Sequence, residues 1–247
     1  MTQIVFGAGA MWGILNSTTP TPKRFGVLQD VSLDFNASSK TLIGQNNLPF
    51  AVARGVITTK GKASFGQFNG GVINDLFFGQ SASSGQIAAI DNETGTIPAP
   101  SGPYTVTVAN SGTWTTDLGV VFGATGLPLT RVASGPTTGQ YSVSAGVYTF
   151  AAADAGLAVY ISYMYTIPST GQKFTIAQQA MGTTPTFKTV ISLPYNGQKA
   201  SVTLNACIAN KFSFATKTED FAIPSFDFEA FADAAGNLGT VSFAEAA

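Results

Sequence analysis

The chain contains no histidine. That removes the Ser-His-Asp triad, the Cys-His pair, the commonest general base and most zinc sites. Close carboxylate pairs occur, among them Asp30/Asp34, Glu219/Asp220 and Asp227/Glu229. Two carboxylates can hydrolyse a glycosidic bond, one as acid and the other as nucleophile or base. Asp227 and Glu229, however, alternate with Phe226 and Phe228, which puts both on the outward side of a strand, where such groups are ordinarily just solvated. The single cysteine, Cys207, sits inside a strand pattern and reads as a small buried hydrophobe; without a second cysteine there is no internal disulfide and no Cys-x-x-Cys. Gly7-Ala8-Gly9 lacks the third glycine and the βαβ unit of a dinucleotide loop, and neither a Gly-Lys-Ser/Thr phosphate loop nor an Asp-x-Asp-x-Asp-Gly calcium loop is present. Trp12 and Trp114 read as core or interface residues, with an exposed sugar-binding ring as the alternative. The Asn-x-Ser/Thr triplets at Asn16, Asn36 and Asn92 count for little in a chain not expected to be exported. These residues predict no enzyme, no metal and no cofactor.

The elements that would position them are strands. Phe187, Thr189, Ile191, Leu193 and Tyr195 fall on one side of an extended segment, and Val202, Leu204, Ala206 and Ile208 do so after Asn196-Gly197. A period of two in β-branched and aromatic residues marks half-buried strands, and Asn-Gly supplies the positive φ angles of a tight reversal. Phe226-Asp227-Phe228-Glu229 continues this meander, whose one greasy face must be covered by the rest of the chain.

With 247 residues, 45% of them apolar, the chain can hold one large β domain or two smaller ones. Only 10% of residues are charged and the net charge is −1, against about 25% charged in an ordinary globular protein. Either much of the surface is covered by other protein, or it is built from Ser, Thr, Asn and Gln. The balance does not suit a protein held to nucleic acid by phosphate contacts. With no Lys or Arg before Lys23 a secretory signal is not expected, and no apolar run reaches the roughly 20 residues of a membrane-spanning helix.

Along the chain, residues 1–22 are first apolar and Gly/Ala-rich, then Ser/Thr/Pro-rich, and are expected to form an arm packing on its own domain or on a neighbour. Residues 23–68 read as two long strands joined by an exposed loop from Leu42 to Phe50. The first strand offers Asp30 and Asp34, the second Arg54, Lys60 and Lys62, opposite charges able to set register across a strand pair or a subunit boundary. Gly70 to Gly79 is the best helix candidate, with Val72, Ile73, Leu76 and Phe77 on one face and Gly79 as its stop. Residues 80–102, rich in Ser, Gly, Thr and Pro, read as a linker or long loop. Residues 103–166 hold only three charges, Asp117, Arg131 and Asp154, and carry alternations separated by turn signals, as in a small sandwich. The expected division is therefore an arm (1–22), a discontinuous β domain (23–100 and 167–247) and an inserted β domain (101–166); a single continuous β domain is the rival. A last hairpin is expected across Asp233–Gly239. The fold class is mainly β: packed antiparallel sheets with one short flanking helix, plus the inserted sandwich-like domain.

The outer segments resemble a phage major tail tube protein of the long, flexible-tailed kind. The residues behind the resemblance are Lys23 to Phe35, Lys40-Thr41-Leu42 with Gly44, Lys60-Gly61-Lys62-Ala63-Ser64-Phe65 and the short helix to Gly79. Tyr195-Asn196-Gly197-Gln198-Lys199, Lys217 to Phe221, Phe226-Asp227-Phe228-Glu229-Ala230 and Asp233-Ala234-Ala235-Gly236-Asn237 complete it. The likeness covers roughly 23–80 and 172–245 by pattern rather than by a rigid motif. The middle block, with Val147-Tyr148-Thr149-Phe150 and Ala153-Asp154-Ala155-Gly156, resembles modules of phage structural proteins that lie outside the minimal tube fold.

The resemblance implies two packed antiparallel sheets with a flanking helix, in subunits that form rings, commonly hexameric. Strands of all subunits join in one barrel around a channel, and the rings stack into a tube through which the genome passes. It implies assembly in the host cytoplasm, location in the virion tail, no membrane insertion, and contact with a tape-measure protein, a tail terminator and a distal tail protein. On this expectation Asp30, Asp34, Arg54, Lys60 and Lys62 belong to channel-lining or assembly strands. Phe6, Trp12, Asn46 and Asn47 belong to an arm and a loop between rings, and residues 101–166 lie on the outer surface. The alternative is a capsid decoration or a receptor- or glycan-binding virion protein that reads its ligand through the middle block and Trp114.

Overall fold

The computed structural model describes residues 5–244. The chain runs through β1 (Ala10–Leu15), β2 (Lys23–Arg24), β3 (Leu28–Ile43), β4 (Pro49–Phe65) and a short helix α1 (Gly70–Ile73) that continues as a π-helical turn (Asn74–Phe78). It then forms β5 (Ala82–Thr96), β6 (Thr105–Thr107), β7 (Trp114–Phe122), β8 (Thr130–Arg131), β9 (Gln140–Ser144), β10 (Val147–Phe150) and β11 (Ala158–Phe174). The last four strands are β12 (Thr186–Tyr195), β13 (Gln198–Ser213), β14 (Ser225–Phe231) and β15 (Gly239–Ser242). The protein is mainly β, with several antiparallel sheets and one short helix.

Two compact units emerge, Ser83–Lys173 and the flanking segments up to Ala82 and from Phe174. The division falls at 82/83 and 173/174 rather than at 100/101 and 166/167. The reason is that the stretch 80–102 is no linker: Ala82–Thr96 is a strand beside β11. Its Ser, Gly and Thr content reflects exposure, since almost every residue from Ala82 to Ala89 faces solvent.

The outer unit is built on one eight-stranded sheet in the order β2-β1-β12-β13-β14-β4-β3, with β15 also on β13. Its core gathers Phe25, Phe65, Phe187, Phe226 and Phe228 with Met11, Ile191, Leu204 and Cys207. The rings meet at tilted and edge-on angles, as in Phe25–Phe65 at 5.5 Å and Phe25–Phe226 at 5.4 Å. Gly61 leaves room for the Phe228 ring, which a Cβ there would strike. The helical turn buries Val72, Ile73 and Leu76 in the same core. Asn69 caps its start by accepting from the Gly71 and Val72 N–H groups, and Gly79, left-handed at φ 61°, ends it. Helical residues thus occupy the expected stretch, but four are α and five are π. Asn74 stabilises the wide turn: its side chain donates to the Gln80 carbonyl at 2.7 Å and accepts from the Gln80 N–H.

Three further differences from the sequence reading have plain causes. The N-terminal segment is not an arm throughout: Ala10–Leu15 pairs with β12, and Met11 is fully buried. The final segment does not fold back on β14. β15 pairs with Ser201–Leu204 of β13, on the same edge where β14 pairs with Ala206–Ser213. The turn at 232–238 thus interrupts one line of pairing instead of reversing it. Finally, the alternation in β13 breaks where Phe187↔Cys207 is followed by Thr189↔Leu204. That bulge turns both Ala206 and Cys207 inward and leaves Ile208 only partly buried.

The inner unit carries a four-stranded sheet, β6-β10-β9-β8, and a three-stranded one, β5-β11-β7. Its core is Ile97, Val108, Val120, Tyr141, Tyr148, Phe150, Val159, Ile161 and Tyr163, with Leu129. Inward residues alternate along β10 and β11, as a sandwich-like packing of two sheets requires.

Candidate functional site

The outer unit presents a four-stranded polar face on β3, β4, β14 and β13. On one side of these strands Val31, Leu33, Ala63, Phe226 and Phe228 enter the core. The intervening residues line up across the ladder on the other side. One row reads Asp30, Ser64, Ser225, Ser213; the next reads Ser32, Lys62, Asp227, Lys211; the third reads Asp34, Lys60, Glu229, Ile208. Carboxylate and ammonium groups therefore alternate from strand to strand. Among the described residues none of them forms an ion pair within 4.0 Å. Asn210 donates to Glu229 at 3.2 Å, while Asp227 Oδ1 is buried without a hydrogen-bond partner.

This face brings together four of the five residues singled out on the first two strands: Asp30, Asp34, Lys60 and Lys62. Arg54 is not among them. A register shift between Ala37↔Ile57 and Ser39↔Arg54 aligns Arg54 with Ile57 on the opposite side of β4. Asp227, Glu229 and Lys211 are additions. The signal for the first two was in the sequence: Asp227-Phe228-Glu229 and Lys60-Gly61-Lys62 share a period of two and carry opposite charge.

Beyond Phe35 and Thr59 the β3–β4 pair leaves the sheet. From Asn36 to Thr58 every residue is exposed, including Leu42, Ile43, Leu48, Phe50, Val52 and Val56, with Phe50 at 84%. Pairing continues to Ile43↔Pro49, so the exposed join is 44–48, shorter than Leu42–Phe50, with Asn46 and Asn47 at its tip. A two-stranded ribbon with apolar residues on both faces is marginal by itself in water. β3 is also the end strand of the sheet, so its outer edge is unpaired over its whole length, and Ala209–Ser213 of β13 extend past the last residue paired with β12. Open edges of this length are ready templates for another chain.

Of the two aromatic residues expected between rings, Phe6 is exposed and touches the Tyr195 ring at 5.8 Å. Trp12 is instead a sheet residue, opposite Val190, with the Arg24 guanidinium 5.9 Å from its ring. Residues 1–4 of the expected arm lie outside the described residues.

The inner unit contains a buried polar network. Asp117 accepts from the hydroxyls of Tyr141 at 2.7 Å and Tyr148 at 3.1 Å and from the Gly119 N–H, and Arg131 lies 3.7 Å away. Burial, with the Asp117 carboxylate adding to it, pushes the pKa values of both tyrosines well above the ordinary phenol value. Trp114 packs against this core and donates its indole N–H to Tyr148. Cys207, in the other unit, is fully buried, and burial pushes its thiol up to about 11. Among the described residues no three His, Cys, Asp or Glu side chains cluster as metal ligands would, and no helix is long and apolar enough to cross a membrane. In comparisons with known proteins, no family model and no curated protein matches the chain.

Proposed function

We propose that this protein is a structural subunit that assembles with copies of itself into rings stacked as a tube, in the manner of a phage tail tube, and conducts a genome through its channel. The observation that carries the reading is the unfinished sheet of the outer unit: an unpaired edge strand continuing into an exposed apolar ribbon. Side-by-side pairing of copies would close the sheet into a barrel and remove its edges. The polar face on β3, β4, β14 and β13 would line the channel. Its three lysines are each set beside carboxylates, so it offers no run of positive charge to hold a phosphate backbone in passage.

On this reading the protein is not an enzyme and resides in the virion tail after assembly in the host cytoplasm. Its rings, hexameric by resemblance, meet a tape-measure protein inside and a terminator and a distal tail protein at the ends. The capsid-decoration or receptor-binding alternative has less support, because the Trp114 indole N–H is already engaged within its own core. Negative-stain microscopy of the purified protein tests the proposal. Rings or tubes are expected; a preparation that stays single-copy at high concentration, alone and in its virion, overturns it.

A further inference from the structure

Self-assembly gives the buried tyrosines of the inner unit no task, and their acceptors are costly ones. Tyr148 and Tyr141 are 0% and 2% exposed. Tyr141 donates to Asp117 Oδ2 at 2.7 Å and Tyr148 to Asp117 Oδ1 at 3.1 Å, and the two rings stack at 5.8 Å. Tyr163 also donates to a carboxylate, that of Glu93. A backbone carbonyl would satisfy a buried phenol at less cost than a charge taken out of water. What a carboxylate adds is the capacity to take the proton, and both distances to Asp117 lie within reach of direct transfer. The Tyr148 oxygen also accepts from the indole N–H of Trp114 at 3.3 Å. Trp114 is half-buried, so the chain Trp114–Tyr148–Asp117–Tyr141 runs from the surface into the core.

We infer that this chain is a trap for one-electron oxidants: a small inorganic or peroxyl radical that reaches the Trp114 ring is reduced there, and the electron vacancy settles on the Tyr148–Tyr141 pair. The oxidant takes one electron from the Trp114 indole and becomes its anion. Tyr148 returns an electron to the indole, which keeps its N–H, and the phenolic proton passes along the existing hydrogen bond to Asp117 Oδ1. Radical, phenol and carboxylate thus become anion, phenoxyl and carboxylic acid, with charge conserved. A phenol gives up its proton far more readily once oxidised, so a base already in place lets electron and proton leave together. Tyr141, stacked on Tyr148 and bonded to the other oxygen of the same carboxylate, shares the vacancy. Both rings are buried, which keeps the phenoxyl from coupling with a phenol of another copy. The other tryptophan lacks this setting. Trp12 has the Arg24 guanidinium 5.9 Å from its ring, a positive charge that opposes the loss of an electron. The trap is independent of the tube reading.

Pulse radiolysis of the full chain with azide tests this. The azidyl radical oxidises indoles, and indolyl and phenoxyl radicals are told apart by their absorption. In Trp12→Phe, whose one indole is Trp114, the indolyl signal is expected to give way to a phenoxyl signal at a rate independent of protein concentration. In Trp114→Phe, whose one indole is Trp12, that conversion is expected to be lost. Conversion in both variants, in neither, or in Trp114→Phe alone overturns the trap. Adding Tyr141→Phe and Tyr148→Phe to Trp12→Phe should abolish conversion. Its persistence would place the vacancy on another tyrosine, such as Tyr165 opposite Trp114, and overturn the assignment to the buried pair. Heavy water supplies a measure that needs no further substitution. Conversion in Trp12→Phe should slow, because the proton moves with the electron, and an unchanged rate overturns the role of Asp117.

Discussion

The two units differ most between the carboxylates of the inner unit and the β3–β4 pair of the outer one. In the inner unit each of the four carboxylates accepts a hydrogen bond: Asp91 from Ser162, Glu93 from Tyr163, Asp117 from Tyr141 and Asp154 from Gly139. Tyr141, Tyr148 and Tyr163 are buried with their hydroxyls hydrogen-bonded. In the outer unit, Asp30, Asp34, Lys60 and Lys62 stand in register without ion pairs, a carboxylate oxygen of Asp227 is orphaned, and large apolar side chains line an exposed ribbon. A buried polar network left half-satisfied is costly, so the inner unit is one whose folding is complete in a single chain. The outer unit is finished in its core and unfinished at its edge. On the proposed reading the difference separates what folding requires from what assembly would require, and it can be attacked from either side.

The largest effect is expected from removing the ribbon. Joining Asn36 directly to Thr58 through an Asn-Gly turn keeps the register of the strand bases and deletes the exposed apolar residues. The outer core should still fold, with near-native circular dichroism, while microscopy shows no tubes. The reciprocal deletion removes Ser83–Lys173 and joins Ala82 to Phe174 through a short Gly-Ser linker. The cut ends lie close, since the Ser83 hydroxyl donates to the Lys173 carbonyl at 3.4 Å. Tube formation should survive. If that deletion unfolds residues 174–244 as judged by proteolysis, the two units are not independent and the contrast between them fails.

A smaller effect is expected inside the inner unit. Asp117→Ala strands the hydroxyls of Tyr141 and Tyr148, at about 1–3 kcal/mol for each buried group left unsatisfied. A loss of roughly 2–4 kcal/mol should appear in the denaturant transition of the inner unit, with assembly unchanged. Asp117→Asn, which keeps an acceptor, should cost less. Alkaline pH probes the same network. The two tyrosines have raised pKa values in the folded state, so their contribution is fully present below the unfolded value, 10.0, and is lost as pH rises above it. Tyrosinate absorbance and unfolding of the inner unit should therefore rise together above about pH 10.

How much of this was legible follows from which physical rule decided each feature. Strand existence in β12 and β14 is written in a period of two, and the stop at Gly79 in its freedom from a Cβ. Bulges are only partly so written: Gly55 marks the one that moves Arg54 off the polar face, whereas nothing in the sequence marks the one that turns Ala206 and Cys207 inward together, although Cys207 by itself reads as buried. Nor does hydropathy reveal exposure. Leu42, Val52 and Val56 read like core-strand residues, yet they face water in a single copy because no strand is present to cover them. The N-terminal segment differs the other way: its apolar, Gly/Ala-rich stretch reads as an arm, yet Ala10–Leu15 is a strand because β12 supplies a partner. The polar face was legible in halves, and joining Asp227 and Glu229 to Lys62 and Lys60 needed the register of β14 on β4.

The smallest expected effect is the sharpest test of what that face is for. Lys60→Gln removes a charge that sits in register between Asp34 and Glu229 without an ion pair within 4.0 Å to either. Exposed pairs of this kind contribute about 0–1 kcal/mol, so the single-copy stability should change by no more than that. A loss of about 2 kcal/mol or more in denaturant unfolding would mean that the ladder is part of the outer unit's own fold. Its alternating charges would then need no channel to explain them. With stability unchanged, any defect that Lys60→Gln produces in ring formation or genome passage belongs to the assembled state, where the unfinished sheet is expected to act.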